Sequence, residues 1–406
     1  MKCGLIGEKL GHSYSPAIHA LLDDYEYKLF EKTPEELPDF LINGGFDGAN
    51  VTIPYKKTVM PYCAEIAPAA KAIGSVNTLV RRADGSLYGD NTDAFGFETL
   101  VRSTGIDVSG KKALVFGSGG ASVTAVAVLK MLGAREVITI SRSGENNYDN
   151  LHLHADAEII ANTTPVGMYP KNGAQAADLR CFPNCKAVFD VVYNPRRTAL
   201  LLQAEELGIP NASGLKMLVA QAKRACELFT GRTIPDSEID RIEKILSSDM
   251  QNLVIIGMPG SGKTLIADLL GEKLGRPVVS SDDMIVERAG KSIPEIFAQE
   301  GEEAFRALET QVLADLGKQS GTIISTGGGV VTRPENYPLL HQNGIIIRQE
   351  RSIDLLPTDG RPLSQANRLS DMLAIRDPMY RRFADITVDN NGSANATIQM
   401  ILEAIK

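Results

Sequence analysis

The sequence predicts an α/β protein built of parallel sheets with helices on both faces, and three observations predict it. Strand-like apolar runs alternate with helical patterns along the whole chain, the pattern of repeated strand–helix–strand units. Two of these runs end in a glycine-rich turn that leads into a helix: Lys112-Ala113-Leu114-Val115-Phe116-Gly117-Ser118-Gly119-Gly120-Ala121, and Leu253-Val254-Ile255-Ile256-Gly257-Met258-Pro259-Gly260-Ser261-Gly262-Lys263-Thr264. Each is the expected start of a nucleotide-binding unit, because the free N–H groups of a helix N-terminus collect phosphate. The 406 residues are enough for two or three domains at about 150 residues each, and the two turns lie far enough apart to belong to different ones.

Composition narrows the function. Hydrophobic residues make up 43% and charged residues 23% of the chain, which is ordinary globular usage. The formal charge of -8 argues against a nucleic-acid partner, which needs a basic face. No apolar run approaches the roughly 20 residues needed to cross a membrane. The segment Met1 to Gly7 lacks an apolar signal core and reads as a first strand. Cys3, Cys63, Cys181, Cys185 and Cys226 are odd in number and scattered, so a disulfide framework is not expected and a cytoplasmic setting is. No second Cys/His pair accompanies Cys181 and Cys185 to complete a zinc site. His152 and His154 alternate with Leu151 and Leu153 as residues on a strand do.

The first glycine turn fits G-x-G-x-x-G only in part, since Ser122 holds the last position. Its context supports it: a strand precedes, a helical run (Val123 to Leu132) follows, and a second strand (Val137 to Ile140) comes next. A carboxylate at the end of that second strand would bind the ribose 2′-hydroxyl of NAD. Here the end reads Ser141-Arg142-Ser143, and an arginine suits the 2′-phosphate of NADP instead.

Segments on either side of this unit identify the chemistry. They are Gly11-His12-Ser13-Tyr14-Ser15-Pro16, Asn50-Val51-Thr52-Ile53-Pro54-Tyr55-Lys56, Gly74-Ser75-Val76-Asn77-Thr78 and Asn91-Thr92-Asp93. Asn162-Thr163-Thr164-Pro165-Val166-Gly167-Met168 and Gly214-Leu215-Lys216-Met217-Leu218-Val219-Ala220-Gln221 follow. In order and spacing the chain resembles the shikimate dehydrogenase family over residues 1–235. The resemblance implies that Ser13 and Ser15 hold a substrate carboxylate, and that Thr52, Asn77, Asp93 and Gln221 hold ring hydroxyls, with Tyr193 beside them. It implies that Lys56 and Asp93 are the catalytic pair. It places the cofactor on Gly117, Gly119, Gly120, Ala121, Ser141, Arg142, Gly214 and Met217. The chemistry is coherent: a lysine beside a carboxylate can exchange the hydroxyl proton while hydride moves to or from the nicotinamide. Two departures stand out. Ala94 follows Asn-Thr-Asp where the family usually has Gly, and Asn146 and Asn147 lie where a second phosphate-clamping arginine is usual.

The second turn, Gly257 to Thr264, fits G-x-x-x-x-G-K-[ST] in full. Its backbone N–H groups cradle phosphates, Lys263 reaches the β- and γ-phosphates, and the Thr264 hydroxyl binds magnesium. Gly257, Pro259, Gly260, Ser261, Gly262, Lys263 and Thr264 are therefore the expected ATP site. The remainder carries Ser281-Asp282-Asp283-Met284-Ile285, then Ile296-Phe297 and Gly301-Glu302-Glu303-Ala304-Phe305-Arg306-Ala307-Leu308-Glu309. After these come Ser325-Thr326-Gly327-Gly328-Gly329, Gly360-Arg361-Pro362-Leu363 and Arg376-Asp377-Pro378-Met379-Tyr380. This stretch resembles shikimate kinase over residues 250–390. The resemblance implies that Asp282 contacts the acceptor hydroxyl and that Arg306 and Arg376 pair with its carboxylate. It also implies that Gly327, Gly328 and Gly329 let the backbone approach the ring and that Arg361 reaches the phosphates from a lid. Ser280 stands where the family commonly has the first Asp of Asp-x-Asp. The lid, residues 357–367, is short and has lost arginines commonly found before Arg361.

The expected organisation is therefore an N-terminal α/β substrate domain (1–93, completed by a C-terminal helix near 214–245), a Rossmann NADP domain (94–249) and a P-loop kinase domain with a parallel sheet (250–406). The expected function is reduction of 3-dehydroshikimate to shikimate with NADPH, then phosphorylation of shikimate with MgATP. The rivals are a quinate/shikimate dehydrogenase joined to another small-metabolite kinase, and a ligand-sensing protein with inactive sites.

Overall fold

The computed structural model describes residues 1–11, 13–356 and 366–405, with side chains 366–368 left aside. The chain divides into two compact units. The first comprises Met1–Met168, Ala174–Tyr193 and Leu200–Ile245, and the second Tyr169–Gly173, Asn194–Ala199 and Leu246–Lys406. The boundary expected between residues 249 and 250 falls at the last turn of the helix Ser237–Met250.

The first unit holds two sheets. One contains β1 (Lys2–Gly7), β2 (Glu26–Glu31), β3 (Gly48–Val51), β4 (Cys63–Ile66), β5 (Thr78–Arg81) and β6 (Leu87–Asp90), in the order β2-β1-β3-β5-β6-β4. It is not wholly parallel, unlike the expectation from the sequence. β5 runs antiparallel to both β3 and β6. Only the short turn Arg82–Ser86 joins β5 to β6, with Arg82 N–H donating to Ser86 O at 2.9 Å. A parallel return needs a crossover of a dozen or more residues, so the turn enforces a hairpin.

The second sheet contains β7 (Lys112–Phe116), β8 (Glu136–Ile140), β9 (Ile159–Asn162), β10 (Ala187–Asp190) and β11 (Asn211–Ser213), in the order β11-β10-β9-β7-β8. Every pair in it is parallel. Successive β7 side chains point to opposite faces. Ala113 and Val115 enter one core cluster with Phe97 and Phe189, while Leu114 and Phe116 enter another with Phe182 and Leu200. Both faces are thus buried, as a parallel sheet requires.

The second unit repeats this logic. Its strands are β12 (Asn252–Ile256), β13 (Val278–Ser280), β14 (Ile323–Ser325), β15 (Gly344–Glu350) and β16 (Ile386–Asp389), all parallel, in the order β13-β14-β12-β15-β16. Leu253 and Ile255 face one core, Val254 and Ile256 the other. In both parallel sheets the chain order reverses beside the strand that carries the glycine turn. That crevice at the carboxyl ends of the strands is where open α/β sheets take ligands.

The segment Leu151-His152-Leu153-His154 is not a strand. It lies in 3-10 turns over Tyr148–His154. Asn147 Oδ1 accepts from Asp149 N–H at 2.9 Å and Asn147 N–H donates to Asn150 Oδ1 at 2.8 Å. This reciprocal cap commits the backbone to a turn that the apolar alternation does not reveal.

Candidate active sites

In the first unit one cavity of about 280 Å³ is lined by Ser13, Ser15, Thr52, Lys56, Asn77, Asp93, Tyr193 and Gln221. These eight substrate-site residues come from well-separated segments of the chain. Ser15 begins the helix Ser15–Leu22, and its N–H donates to Ser13 Oγ at 3.2 Å. Two hydroxyls at a helix N-terminus favour an anionic ligand group. Asp93 lies in the first turn of the helix Thr92–Arg102, which Asn91 caps by accepting from Ala94 N–H at 3.3 Å. Ala94 therefore keeps the capping hydrogen bond. Lys56 Nζ donates to Asp93 Oδ2 at 2.6 Å, with both side chains mostly out of solvent (22% and 15% exposed).

Asn77 is held on its carbonyl side. Its Oδ1 accepts from Thr92 N–H (2.7 Å) and from the Thr78 hydroxyl (3.0 Å), which leaves its NH₂ as the group able to donate to a ligand. Asn50, also in the cavity wall, carried no role in the sequence reading although it opens the Asn-Val-Thr segment. Its Oδ1 accepts from Tyr27 Oη at 2.8 Å and its NH₂ donates to Thr78 Oγ1 at 3.3 Å. Tyr193 meets Tyr14 edge-on at 5.9 Å.

Gly214 and Met217 line the same cavity. Gly117, Gly119, Gly120, Ala121, Ser141 and Arg142 do not; they sit at the carboxyl ends of β7 and β8. Gly119 caps the helix Gly120–Met131, and nothing lies within 4 Å of a Cβ built at Gly119 or Gly120. The turn thus presents bare backbone to space, which fits a pyrophosphate. Arg142 is exposed beyond β8, and Asn146 is engaged with His154 Nε2 at 2.9 Å.

In the second unit the loop after β12 has Gly257, Gly260 and Gly262 at φ of +152°, +83° and +92°, a conformation that side chains resist. Lys263 is buried and its Nζ donates to Gly257 O and Met258 O, both at 3.0 Å. A cavity of about 400 Å³ is lined by Pro259, Gly260, Gly262, Lys263, Thr264, Ser280, Asp282 and Ser325. The Thr264 and Ser325 hydroxyls lie 3.5 Å apart. Hydroxyls beside one carboxylate suit a hard, largely hydrated cation such as magnesium. Ser280 caps the helix Ser281–Ala289, its Oγ accepting from Asp283 N–H at 3.2 Å.

A neighbouring cavity of about 520 Å³ is lined by Arg306, Glu309, Gly327, Gly328, Gly329 and Arg376, with Phe297, Phe305 and Met372 as apolar wall. Asp282 lines both cavities, so its carboxylate stands between phosphate loop and acceptor space. The glycines permit this closeness. A Cβ at Gly327 would stand 2.8 Å from Asp282 Oδ1, and one at Gly329 would stand 2.1 Å from Arg306 Nη2. Arg376 Nη1 donates to Gly328 O at 3.0 Å.

Glu309 is the residue whose part the sequence reading missed. It is fully buried, and its Oε2 accepts from Arg306 Nη1 at 2.7 Å. Burial raises its carboxyl above the usual carboxylate range, against the pull of Arg306. The i, i+3 spacing from Arg306 was visible, but the depth of the pair was not. Arg361 lies outside the described residues.

Comparison with known proteins adds the following. Residues 5–79 match the shikimate dehydrogenase substrate binding domain, and residues 259–406 match shikimate kinase. A shikimate dehydrogenase (NADP(+)) from Clostridium perfringens is 36% identical over 261 residues, covering 59% of this chain and 96% of that protein. The crystal structure of a chorismate mutase/shikimate 5-dehydrogenase fusion protein from Clostridium acetobutylicum aligns at a TM-score of 0.57 and 35% identity, over 60% of this chain and 96% of that one. The shikimate 5-dehydrogenase of Thermus thermophilus, solved in complex with NADP(H) and shikimate, aligns at a TM-score of 0.55 and 29% identity, over 60% of this chain and 99% of that one.

Proposed function

Since the chain belongs to the shikimate dehydrogenase family and its residues 259–406 match shikimate kinase, we propose that one polypeptide performs two consecutive reactions: NADPH-dependent reduction of 3-dehydroshikimate to shikimate, and MgATP-dependent phosphorylation of shikimate to shikimate 3-phosphate. The observation that carries the reading is convergence. Residues assigned from separate motifs line one cavity in the first unit and two adjoining cavities in the second.

In the reduction, Ser13 and Ser15 take the substrate carboxylate, and Thr52, Asn77, Asp93 and Gln221 take the ring hydroxyls. NADPH, held on the Gly117–Ala121 turn with Arg142 against its 2′-phosphate, supplies hydride when bound. The Lys56 ammonium polarises the ketone oxygen and gives it a proton as the carbonyl carbon is reduced. Asp93 aims that ammonium through the 2.6 Å hydrogen bond it accepts. The product alcohol, the oxidised cofactor NADP+ and a neutral amine balance the step, and the amine regains its proton from water.

In the phosphorylation, Arg306 and Arg376 hold the shikimate carboxylate with planar guanidinium forks. Asp282 accepts a hydrogen bond from the acceptor hydroxyl and orients its oxygen toward the γ-phosphate. Lys263 neutralises charge on the transferring group, and Thr264 is the side-chain ligand offered to magnesium. The acceptor oxygen bonds to phosphorus as the bond to ADP breaks, and the hydroxyl proton leaves through Asp282.

The domain division that goes with this reading is 1–93 with a helix near 214–245, then 94–249, then 250–406. The partners are small anionic metabolites in the cytoplasm, with no nucleic acid or membrane surface involved. The net charge of -8 supports this. Among the described residues no helix is long and apolar enough to cross a membrane. The test is substrate competition. Purified protein should oxidise NADPH with 3-dehydroshikimate faster than with 3-dehydroquinate, and should phosphorylate shikimate in preference to quinate. A preference for the quinate series in either half would reject the assignment of that half.

A further inference from the structure

A third cavity, of about 350 Å³, borders the phosphate loop on the side of Gly257 and Met258, and Arg351, Ile353, Asp389 and Asn391 line it. The two cavities described above are occupied in the proposed mechanism by phosphates and acceptor; this one has no role there. Arg351 directly follows β15, whose neighbour β12 leads into the loop, so the side chain starts at the phosphate end of the sheet. Its guanidinium comes close to the loop: Nη1 lies 3.6 Å from where a Cβ on Gly262 would stand. The loop is anchored on the same side, because Gln349 Nε2 and Asn390 Nδ2 both donate to Ser261 O, at 2.8 and 2.7 Å.

Arg348 and Arg351 differ in how their charge is used. Arg348 is paired with both Glu350 and Asp377. Arg351 has no carboxylate partner among the described residues, and its Nε is buried without a hydrogen-bond acceptor. Arg351 is half-buried, and a buried N–H without an acceptor is unfavourable. A cation held this way beside a phosphate-binding turn is arranged for an anion that arrives with the ligand.

We propose that Arg351 binds the polyphosphate of the nucleotide beside the phosphate loop. The proposal rests on the kinase reading and adds to it a nucleotide-binding arginine within the described residues.

The test is calorimetric titration of the full-length protein with MgATP and with adenosine, for the wild type, Arg351→Met and Arg351→Lys. Arg351→Met keeps the apolar stem, so a folded protein is expected, checked by its thermal melt. Its Kd for MgATP should rise about ten- to a hundredfold, the share of one charged hydrogen-bonding partner. Adenosine binding, KM for shikimate and dehydrogenase turnover should be unchanged. Arg351→Lys should recover part of the loss by charge alone. An unchanged Kd for MgATP in a folded Arg351→Met would overturn the proposal while leaving the kinase reading intact. Equal losses for adenosine and MgATP would also overturn it, by placing the side chain on the base. A wild type that binds no MgATP would overturn both.

Discussion

Lys56 and Asp93, 37 residues apart, meet through a 2.6 Å hydrogen bond between Nζ and Oδ2 at the wall of the first unit's cavity. The sheet makes the meeting possible. β3 delivers the segment ending in Lys56, and β6, two strands away, delivers Asp93 on the helix that follows. Lys56→Ala should lower dehydrogenase kcat by about two to four orders of magnitude, the usual share of a general acid–base group. Kinase turnover, which belongs to the other compact unit, should not change. Steady-state rates of both half-reactions decide it, and near-normal dehydrogenase kcat in the variant would remove Lys56 from the chemistry.

Cofactor choice should depend on Arg142. No carboxylate ends β8, and the arginine there is exposed. One arginine–phosphate contact contributes about 1.5–3 kcal/mol, so Arg142→Ala should weaken kcat/KM for NADPH by about ten- to a hundredfold and leave NADH unaffected. Parallel losses with both cofactors would show that the residue acts on folding and not on the 2′-phosphate.

The buried Glu309 should fix Arg306 for the acceptor carboxylate. Glu309→Gln keeps a hydrogen bond but removes the charge partner, and should raise KM for shikimate by about tenfold with KM for ATP unchanged. Glu309→Ala leaves the buried guanidinium with only the more distant Glu302, 3.4 Å away and exposed, and should cost about 2–4 kcal/mol of stability in the second unit. Initial-rate kinetics and denaturant melts separate the two effects. An unaltered KM for shikimate in Glu309→Gln would mean that Arg306 is oriented by other contacts.

Stability of the first unit should fall at mildly acidic pH because of His19. This side chain is fully buried, stacked on Tyr27 at 4.0 Å, and its Nδ1 meets Tyr25 Oη at 2.5 Å. Burial lowers its pKa from 6.5 to about 3. A depressed folded-state pKa gives stability that is present above 6.5 and lost as the pH falls toward 3, because the unfolded chain takes up the proton first. From pH 7 to pH 5 this one group should remove about 2 kcal/mol. His19→Gln should flatten that part of the pH–stability curve, and a slope unchanged by the substitution would assign the loss to other groups.

Much of this was legible in the sequence, for a physical reason. A strand feeding a glycine turn and a helix is a local pattern, so β7 and β12 and their turns were readable without knowledge of the fold. The cavity around Lys56 was readable only through motif resemblance, since its wall is assembled from distant segments. The antiparallel β5 was hidden because pairing direction depends on what a turn can span and not on apolar pattern. The turn at Tyr148–His154 was hidden because side-chain caps on Asn147 outweigh an alternation of leucines. Glu309 reads in sequence as one of several acids on a charged helix, and only packing shows that it is the buried one. His19 was likewise invisible, because its partners Tyr25, Tyr27 and Phe229 converge from other elements.

The most direct test of the account is the coupled reaction. Full-length protein supplied with 3-dehydroshikimate, NADPH and MgATP is followed by cofactor absorbance and by phosphorus NMR. The account predicts that NADPH oxidation is accompanied by shikimate 3-phosphate. Lys56→Ala should slow product formation from 3-dehydroshikimate by about two to four orders of magnitude yet still form it at the wild-type rate from added shikimate, whereas Lys263→Ala should stop at shikimate. NADPH oxidation with no phosphorylated product in the wild type, or no oxidation at all, would contradict the claim that both activities reside on this chain.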